Sequence, residues 1–350
     1  MLTIHDFLCL FILSMASASA LFIDLPRGFR QRWSVGEVNS NGTTYLWLLE
    51  DTYEGDTFFD TFDFYNASDP THYVNESYAF SAGLAYVESD GVVIMKGDNT
   101  TWLAEGAYRD SVRISSQKEY NTGLFILDLN MAPWGCGVWP AFWTLGSGTW
   151  PYTGEIDIIE GVHDNEHNQV TWHTGSGKPF FTLFTTDGKN NTDCDGDAND
   201  NSGCGVTEWS RASYGPYFDA QGGGVFAMKW DVNGIAIWSF YRAAIPQDIK
   251  DGIPAPSTWG TPVAQLDPAY CNPIEYFVNH SIIFGDWAGN DYTTSGCPGT
   301  CAERIMDPAN FNNASWSINS LKVYRTQLLN AHISSARSLA WTLIFAGLLL

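Results

Sequence analysis

Apolar and polar residues fall in short runs along this chain, and clusters of Gly, Pro, Asn and Asp separate one run from the next. None of the runs sustains the period of a long amphipathic helix, and their short length and β-rich composition between turn signals are those of strands. The pattern predicts strands over residues 91–95, 112–116, 123–129, 139–145, 155–160, 169–174, 225–231, 235–241, 281–285 and 316–324. Residues 65–74 and 247–267 read as loops, the second rich in proline. Many short strands between turn signals, without internal repeat or low-complexity linker, predict one large all-β domain built as a two-sheet sandwich.

The 155–160 segment breaks the simple alternation. Residues 154–161 read Gly-Glu-Ile-Asp-Ile-Ile-Glu-Gly, three carboxylates separated by isoleucines. In a regular strand Glu155 and Asp157 share a face and Glu160 points to the other. One extra residue, absorbed as a β-bulge at Ile158 or Ile159, returns Glu160 to the face of the other two, and bulges concentrate beside active sites. A charged edge strand would need acids but not this spacing. Two glutamates facing one cleft suit glycoside hydrolysis, in which one carboxyl protonates the leaving oxygen and the other attacks carbon or activates water. A retaining reaction holds the two carboxyls roughly 5 to 5.5 Å apart. The backbones of residues 155 and 160 lie about 13 to 16 Å apart in a plain strand, so side-chain length and sheet curvature must close the gap.

The acid segment resembles the Glu-x-Asp-x-x-Glu signature of glycoside hydrolase family 16, and Gly-Val-Trp-Pro-Ala-Phe-Trp at 137–143 is similar to the strand before it there. The likeness runs from about residue 65 to residue 324, is sharpest over 112–174, and is nearest to secreted fungal laminarinase-like endo-1,3(4)-β-glucanases. It implies a β-jelly-roll sandwich of two curved antiparallel sheets with a concave substrate cleft. It implies a retaining mechanism with Glu155 as nucleophile, Glu160 as acid and then base, and Asp157 tuning their ionisation. It also implies that Trp143, Trp150 and Trp287 line the glucan cleft, that His173 faces the central carboxylate, and that Arg113 donates to sugar hydroxyls. Trp139 is expected in the scaffold, and His163 and His167 in solvent.

Composition narrows the partners. Against 17 Lys+Arg stand 39 Asp+Glu, a formal net charge of -22, which repels nucleic acid and acidic polysaccharides and suits a neutral polymer such as the β-glucan that the resemblance implies. Neither cofactor nor metal is expected. No Cys-His cluster of the structural zinc kind is present. The run Asp-Cys-Asp-Gly-Asp-Ala-Asn at 193–199 resembles a calcium loop, but its glycine is misplaced and no glutamate closes it. It is expected to be a solvated loop closed by a disulfide between Cys194 and Cys204, worth about 3 kcal/mol in the chain-entropy model. With Cys9 in the leader, Cys136, Cys194, Cys204, Cys271, Cys297 and Cys301 form an even set that an oxidising compartment is expected to pair.

The ends carry sorting signals. Residues 1–20 hold an apolar run followed by small residues, the order of a secretory signal peptide cut near Ala20. Residues 21–326 are expected to form the catalytic domain. Residues 327–350 pass from a polar, small-residue stretch to an apolar tail too short to span a bilayer, the order of a glycosylphosphatidylinositol (GPI) signal. A secreted, lipid-anchored monomer at the cell membrane or wall is the resulting expectation. Sequons at Asn41, Asn66, Asn75, Asn99, Asn190, Asn279 and Asn313 offer sites for glycosylation. Two other functions fit the same sandwich: a non-catalytic glucan-binding protein, which has no need of two acids, and a wall-remodelling transglycosylase, which passes the sugar to a carbohydrate instead of water. Fungal transglycosylases of this family carry the shorter Glu-x-Asp-x-Glu, so the longer spacing here points to hydrolysis. The anchor is directly testable: full-length protein should partition with membranes and be released by a phosphatidylinositol-specific phospholipase. Free secretion with the tail still attached, seen by mass spectrometry, refutes it.

Overall fold

The computed structural model describes residues 36–38, 42–68, 71–176, 193–288 and 292–329. The predicted leader and the apolar tail lie outside the described residues, as do the sequons at Asn41 and Asn190.

Every segment predicted as a strand overlaps one, and two large curled antiparallel sheets pack face to face, beside a small third sheet of Ala67–Ser68, His72–Tyr73 and Asp110–Ser111. One sheet has seven strands, in the order Cys204–Thr207, Gln169–His173, Glu155–Glu160, Val138–Gly146, His280–Ala288, Ile114–Tyr120 and Phe62–Phe64. The other has nine, centred on Thr44–Tyr53, Ser315–Leu328, Gly123–Met131, Gly224–Asp231 and Gly234–Tyr241. Ser315–Leu328 continues past residue 326 to pair Leu328 with Tyr45.

The main core lies between the sheets. Phe142, Ile156, Trp172 and Phe284 from the seven-stranded sheet meet Phe125, Phe226, Trp230 and Trp316 from the nine-stranded one. Phe142 stacks on Phe284 at 4.7 Å, and Phe284 meets Trp316 edge-on at 5.5 Å. Burial of this kind dominates stability: truncating a buried aromatic such as Trp172 to alanine costs roughly 3–5 kcal/mol. The period of two decides which residues go inward. In Val138–Gly146, Val138, Pro140, Phe142 and Thr144 face the core, while Trp139, Ala141 and Trp143 remain half-buried on the other side.

The nine-stranded sheet is covered on its outer face as well, which explains the near-continuous apolar run of Gly123–Met131. Leu124, Ile126, Val225, Ala227, Tyr45 and Trp47 form a second cluster roofed by Ile245, Ile249 and Trp259. The roof is the proline-rich segment expected to be a loop. It contains the helix Gln247–Asp251, the 3-10 turn Pro256–Thr258 and the strand Ala264–Leu266. Pro256 opens the 3-10 turn and Pro246 stands at the N-cap of the helix, so two prolines in and beside this segment mark helix starts. The other expected loop, 65–74, holds the short strands Ala67–Ser68 and His72–Tyr73. Thr44–Tyr53 escapes the alternation rule because its first half buries Tyr45, Leu46 and Trp47 in succession.

Cys194 and Cys204 are bridged as expected, and Cys136 is joined to Cys297 across 161 residues. The expectation that all six cysteines pair is not met, because Cys271 and Cys301 stand in neither bridge. Cys271 is enclosed in the main core, where burial pushes its thiol up, and a bridge needs a facing partner within about 7 Å.

Asp219, in the helix Pro216–Ala220, accepts a hydrogen bond from Trp134 Nε1 at 2.6 Å, and burial pushes its carboxyl up to about 7. A raised carboxyl ionises first in the unfolded chain, so its stabilising contribution is complete below about pH 4 and is lost as pH rises through about 7. Asp219→Asn should therefore raise the thermal midpoint at pH 8, by on the order of 1–3 kcal/mol of stability, and leave it nearly unchanged at pH 4. An equal shift at both pH values in thermal unfolding would show that ionisation is not the cause.

Candidate active site

The seven-stranded sheet turns the face away from the core to a cleft of about 560 Å³. Alternate residues of three adjacent strands line it: Trp139, Ala141 and Trp143; Glu155 and Asp157; Gln169, Thr171 and His173. Ala141 sits opposite Gly285 on the neighbouring strand, so the floor there is free of bulk. A small residue or glycine within a strand leaves room for a ligand to approach the backbone.

Glu155–Glu160 is an interior strand, third from one edge, which excludes the charged-edge reading. Its isoleucines set the shape of the site. Along Val138–Gly146, Phe142 pairs with Ile159 and Trp143 with Asp157, leaving Ile158 without a partner. Along Gln169–His173, the pairing jumps from Asp157 with Thr171 to Glu160 with Gln169, three steps against two. This is the bulge the acid spacing demands. Ile158 and Ile159 are both fully buried in the main core. A regular strand would expose one of them, at a cost of roughly 1.5–3 kcal/mol for a side chain of this size. The same extra step brings Glu160 into the cleft beside Glu155 and Asp157.

Uncharged donors hold the outer two acids. Trp150 Nε1 donates to Glu155 Oε2 at 2.7 Å from the hairpin between two cleft strands. Trp139 Nε1 donates to Glu160 Oε1 at 3.0 Å, and Thr171 Oγ1 to Glu160 Oε2 at 3.3 Å. His173 is the cross-strand neighbour of Glu155, and its Nε2 lies 3.4 Å from Asp157 Oδ2 and 4.0 Å from Glu155 Oε1. Burial is the largest cause of shift for all three carboxyls. It pushes Glu155 up to about 8, with the charge of Asp157 adding to the rise and His173 and Trp150 opposing it. Asp157 is held well above the usual carboxylate range, and Glu160 is raised against the pull of Trp139, His173 and Thr171. Three acids so close together and shielded from solvent oppose one another's ionisation, so their titrations are linked. Glu155, Asp157 and His173 also bring one ligand atom each within 4.8 Å of one another and are the described residues placed to hold a cation.

Arg113 stands in the cleft, stacked over Tyr65 at 4.9 Å and Trp143 at 5.1 Å. Its charge is met by ring faces, and Trp143 is turned to it. Trp287 pairs through its backbone with Trp139, but its side chain lies outside the described residues.

Three expectations change. Trp139 belongs to the cleft, as its place in the 139, 141, 143 alternation already allows. His163 is buried, with Nδ1 accepting from Gly137 N at 3.2 Å, so it is not solvated, while His167 stays half-exposed with Nδ1 bonded to Glu208 O at 2.7 Å. The loop between Cys194 and Cys204 forms a wall of the cleft through Asp200, Asn201 and Ser202. Thr174 bridges Asp195 and folds the loop back, and Gly203, at φ +57, passes so close that a Cβ would lie 2.6 Å from His173 Cε1. No local pattern marks those residues, because the fold-back places them.

Residues 62–324 match the family model described as the XgeA-like, catalytic GH16 domain. A probable endo-1,3(4)-β-glucanase of Aspergillus niger is 39% identical over 342 residues, covering 89% of this chain and 46% of the relative. The chain thus spans about half the length of such curated glucanases. Laminarinase 16A from Phanerochaete chrysosporium, solved with 6-O-glucosyl-laminaritriose in both donor and acceptor sites, superposes with a TM-score of 0.74 at 35% identity, over 80% of this chain and 99% of that one. An elongating GH family 16 β-1,3-glucosyltransferase superposes at 0.72, also at 35% identity, over 80% of this chain and 100% of that one. An all-β sandwich whose bulged strand presents two glutamates and an aspartate to an aromatic cleft, matched over this length, places the chain in glycoside hydrolase family 16, in its XgeA-like group.

Proposed function

We propose that this chain is a retaining endo-β-glucanase that hydrolyses internal bonds of β-1,3- and mixed β-1,3/1,4-glucans through a covalent glycosyl-enzyme. The observation that carries the reading is the bulge at Ile158, which brings Glu155 and Glu160 into one aromatic cleft. Glu155 attacks the anomeric carbon while Glu160 protonates the departing oxygen. Glu160 then takes a proton from water, whose oxygen releases the sugar from Glu155. The first step requires Glu155 ionised and Glu160 protonated, and the second requires Glu160 as the carboxylate its proton left behind. Burial raises both carboxyls, Glu155 to about 8, and is opposed by His173 and Trp150 at Glu155 and by Trp139, His173 and Thr171 at Glu160, so ionisation of Glu155 increases as pH rises toward 8. Asp157, nearly enclosed and close to His173, exchanges a proton with its neighbours as charge moves along the strand. Trp143, Trp150, Trp287 and Arg113 hold successive sugars, rings against C–H faces and the guanidinium against hydroxyls. Asp200, Asn201 and Ser202 add polar contacts from the disulfide loop.

A second reading, transfer of the glycosyl group to another glucan, draws support from the glucosyltransferase of the same fold and similarity. Both use one intermediate and differ in the acceptor. The mature protein is read as one catalytic domain from residue 21 to the end of the strand at Leu328, two residues past the expected boundary at 326, secreted, glycosylated, monomeric and held by a lipid anchor.

Given β-1,3, mixed-linkage, β-1,4 and β-1,6 glucans, the protein should cut β-1,3-containing chains internally. Activity confined to β-1,4 or β-1,6 chains overturns the specificity, and products longer than the substrate identify transfer. Glu155→Ala and Glu160→Ala should each lower kcat/KM on glucan by at least about 10³-fold while glucan binding persists. Azide should restore Glu155→Ala with an α-glycosyl azide and Glu160→Ala with a β-glycosyl azide, and the reverse stereochemistry exchanges the two roles. On glucan the wild-type kcat/KM should fall at alkaline pH as the Glu160 proton is lost, whereas on a dinitrophenyl glycoside, whose leaving group needs no acid, that fall should be absent and Glu160→Ala should keep most of its kcat/KM.

A further inference from the structure

The bulge that delivers Glu160 leaves backbone groups without their ladder partners. Between the pairs Asp157 with Thr171 and Glu160 with Gln169, the Gln169–His173 strand is a residue short, so the Ile158 carbonyl and the Glu160 N–H have no main-chain counterpart there. One side chain serves both. Asn168, fully buried just before that strand, donates from Nδ2 to Ile158 O at 3.0 Å and accepts at Oδ1 from Glu160 N at 3.0 Å. A side-chain amide has the donor and acceptor of the peptide group it replaces. Its orientation is fixed by chemistry, since a backbone N–H can only donate and a carbonyl can only accept. The second Nδ2 hydrogen goes to Glu208 Oε1 at 3.0 Å, and Glu208 Oε2 accepts from Ser239 Oγ at 2.6 Å. The backbone around Asn168 is tied as well: its N–H donates to Ser213 Oγ at 2.9 Å and its carbonyl accepts from Glu208 N at 2.8 Å. Glu208 is itself buried.

We propose that Asn168, braced by Glu208, is a positioning residue that holds the bulge in register and thereby aims the Glu160 carboxyl at the departing glycosidic oxygen. Asn168 touches the backbone on either side of Ile159 and does not line the cleft, so it acts through Glu160 and not on the sugar. The inference rests on the reading of Glu160 as the acid. Loosening the bulge impairs protonation of the leaving group and leaves the aromatic subsites intact.

The test compares kcat/KM on a β-1,3-glucan with kcat/KM on a dinitrophenyl β-1,3-glucoside, whose leaving group departs without an acid. Asn168→Ala should lose about 10- to 100-fold on the glucan, mainly in kcat with KM within about twofold, and less than about threefold on the aryl glycoside. Glu208→Ala should follow in the same direction with a smaller loss. Glu208→Gln, which still accepts from Asn168 and can donate to Ser239, should recover most of the glucan activity. Should Asn168→Ala fail to fold, Asn168→Asp and Glu208→Ala carry the same comparison, since Asp at 168 turns an oxygen toward Ile158 O and Glu208. Equal losses on both substrates, a loss residing in KM, or full activity in the folded variants would overturn the proposal. Glu160→Ala run alongside separates the two claims. If it shows no leaving-group dependence, the acid assignment fails; if it does and the Asn168 and Glu208 variants do not, only the positioning role fails.

Discussion

Side chains of a β-strand alternate in direction, and a strand with acids at 155, 157 and 160 cannot offer all three to one face without losing a step. Much of the architecture around the cleft follows from how that parity is broken. The gain comes from the core side, where Ile158 and Ile159 are both swallowed. The two neighbouring strands tolerate the misfit differently: one skips Ile158, the other shortens by a residue, and a buried asparagine stands in for the missing peptide. The acids are thus arranged by hydrophobic burial on the opposite face of their own strand.

The electrostatics of the cleft follow from what surrounds the acids. A lysine or arginine paired to each carboxyl would lower its pKa and leave it permanently ionised. The donors to Glu155 and Glu160 are instead indole and hydroxyl groups, which orient the carboxyls without neutralising them. Burial then dominates, and all three acids rise. Arg113, the cation among the cleft-lining residues, is engaged by Tyr65 and Trp143. A site that must hold one acid protonated beside another that is ionised is served by such partners.

Loops complete the cleft with little freedom of their own. The hairpin carrying Trp150 is fastened beneath by His280, whose ring bonds Thr144 Oγ1 at 2.8 Å and Thr153 O at 2.9 Å. Burial lowers that histidine to about 4, which keeps it neutral and able to accept from the threonine hydroxyl while donating to the carbonyl. The disulfide loop is closed at its base by Cys194 and Cys204 and drawn over His173 by Gly203. Rigid attachment of polar residues at the rim lowers the entropy lost when a flexible chain binds.

The sequence by itself determined the parts of this protein that depend on short-range repetition. Short β-rich runs between turn signals marked most strands of both sheets, though Thr44–Tyr53 was missed because it buries Tyr45, Leu46 and Trp47 in succession. The acid spacing required a bulge at Ile158 or Ile159, since strand parity is a local property of the backbone, and the bracketed polar loop pointed to the Cys194–Cys204 bridge. Only the tertiary structure decided where separate strands and loops meet. The pairing of Cys136 with Cys297, the burial of Cys271, the roof over Trp47, the reach of Asp200 to Ser202 into the cleft and the clasp of Asn168 by Glu208 each join residues distant in sequence. Such contacts leave no periodic trace, because a residue's partner across a sheet or beneath a loop is set by the register and path of the whole chain.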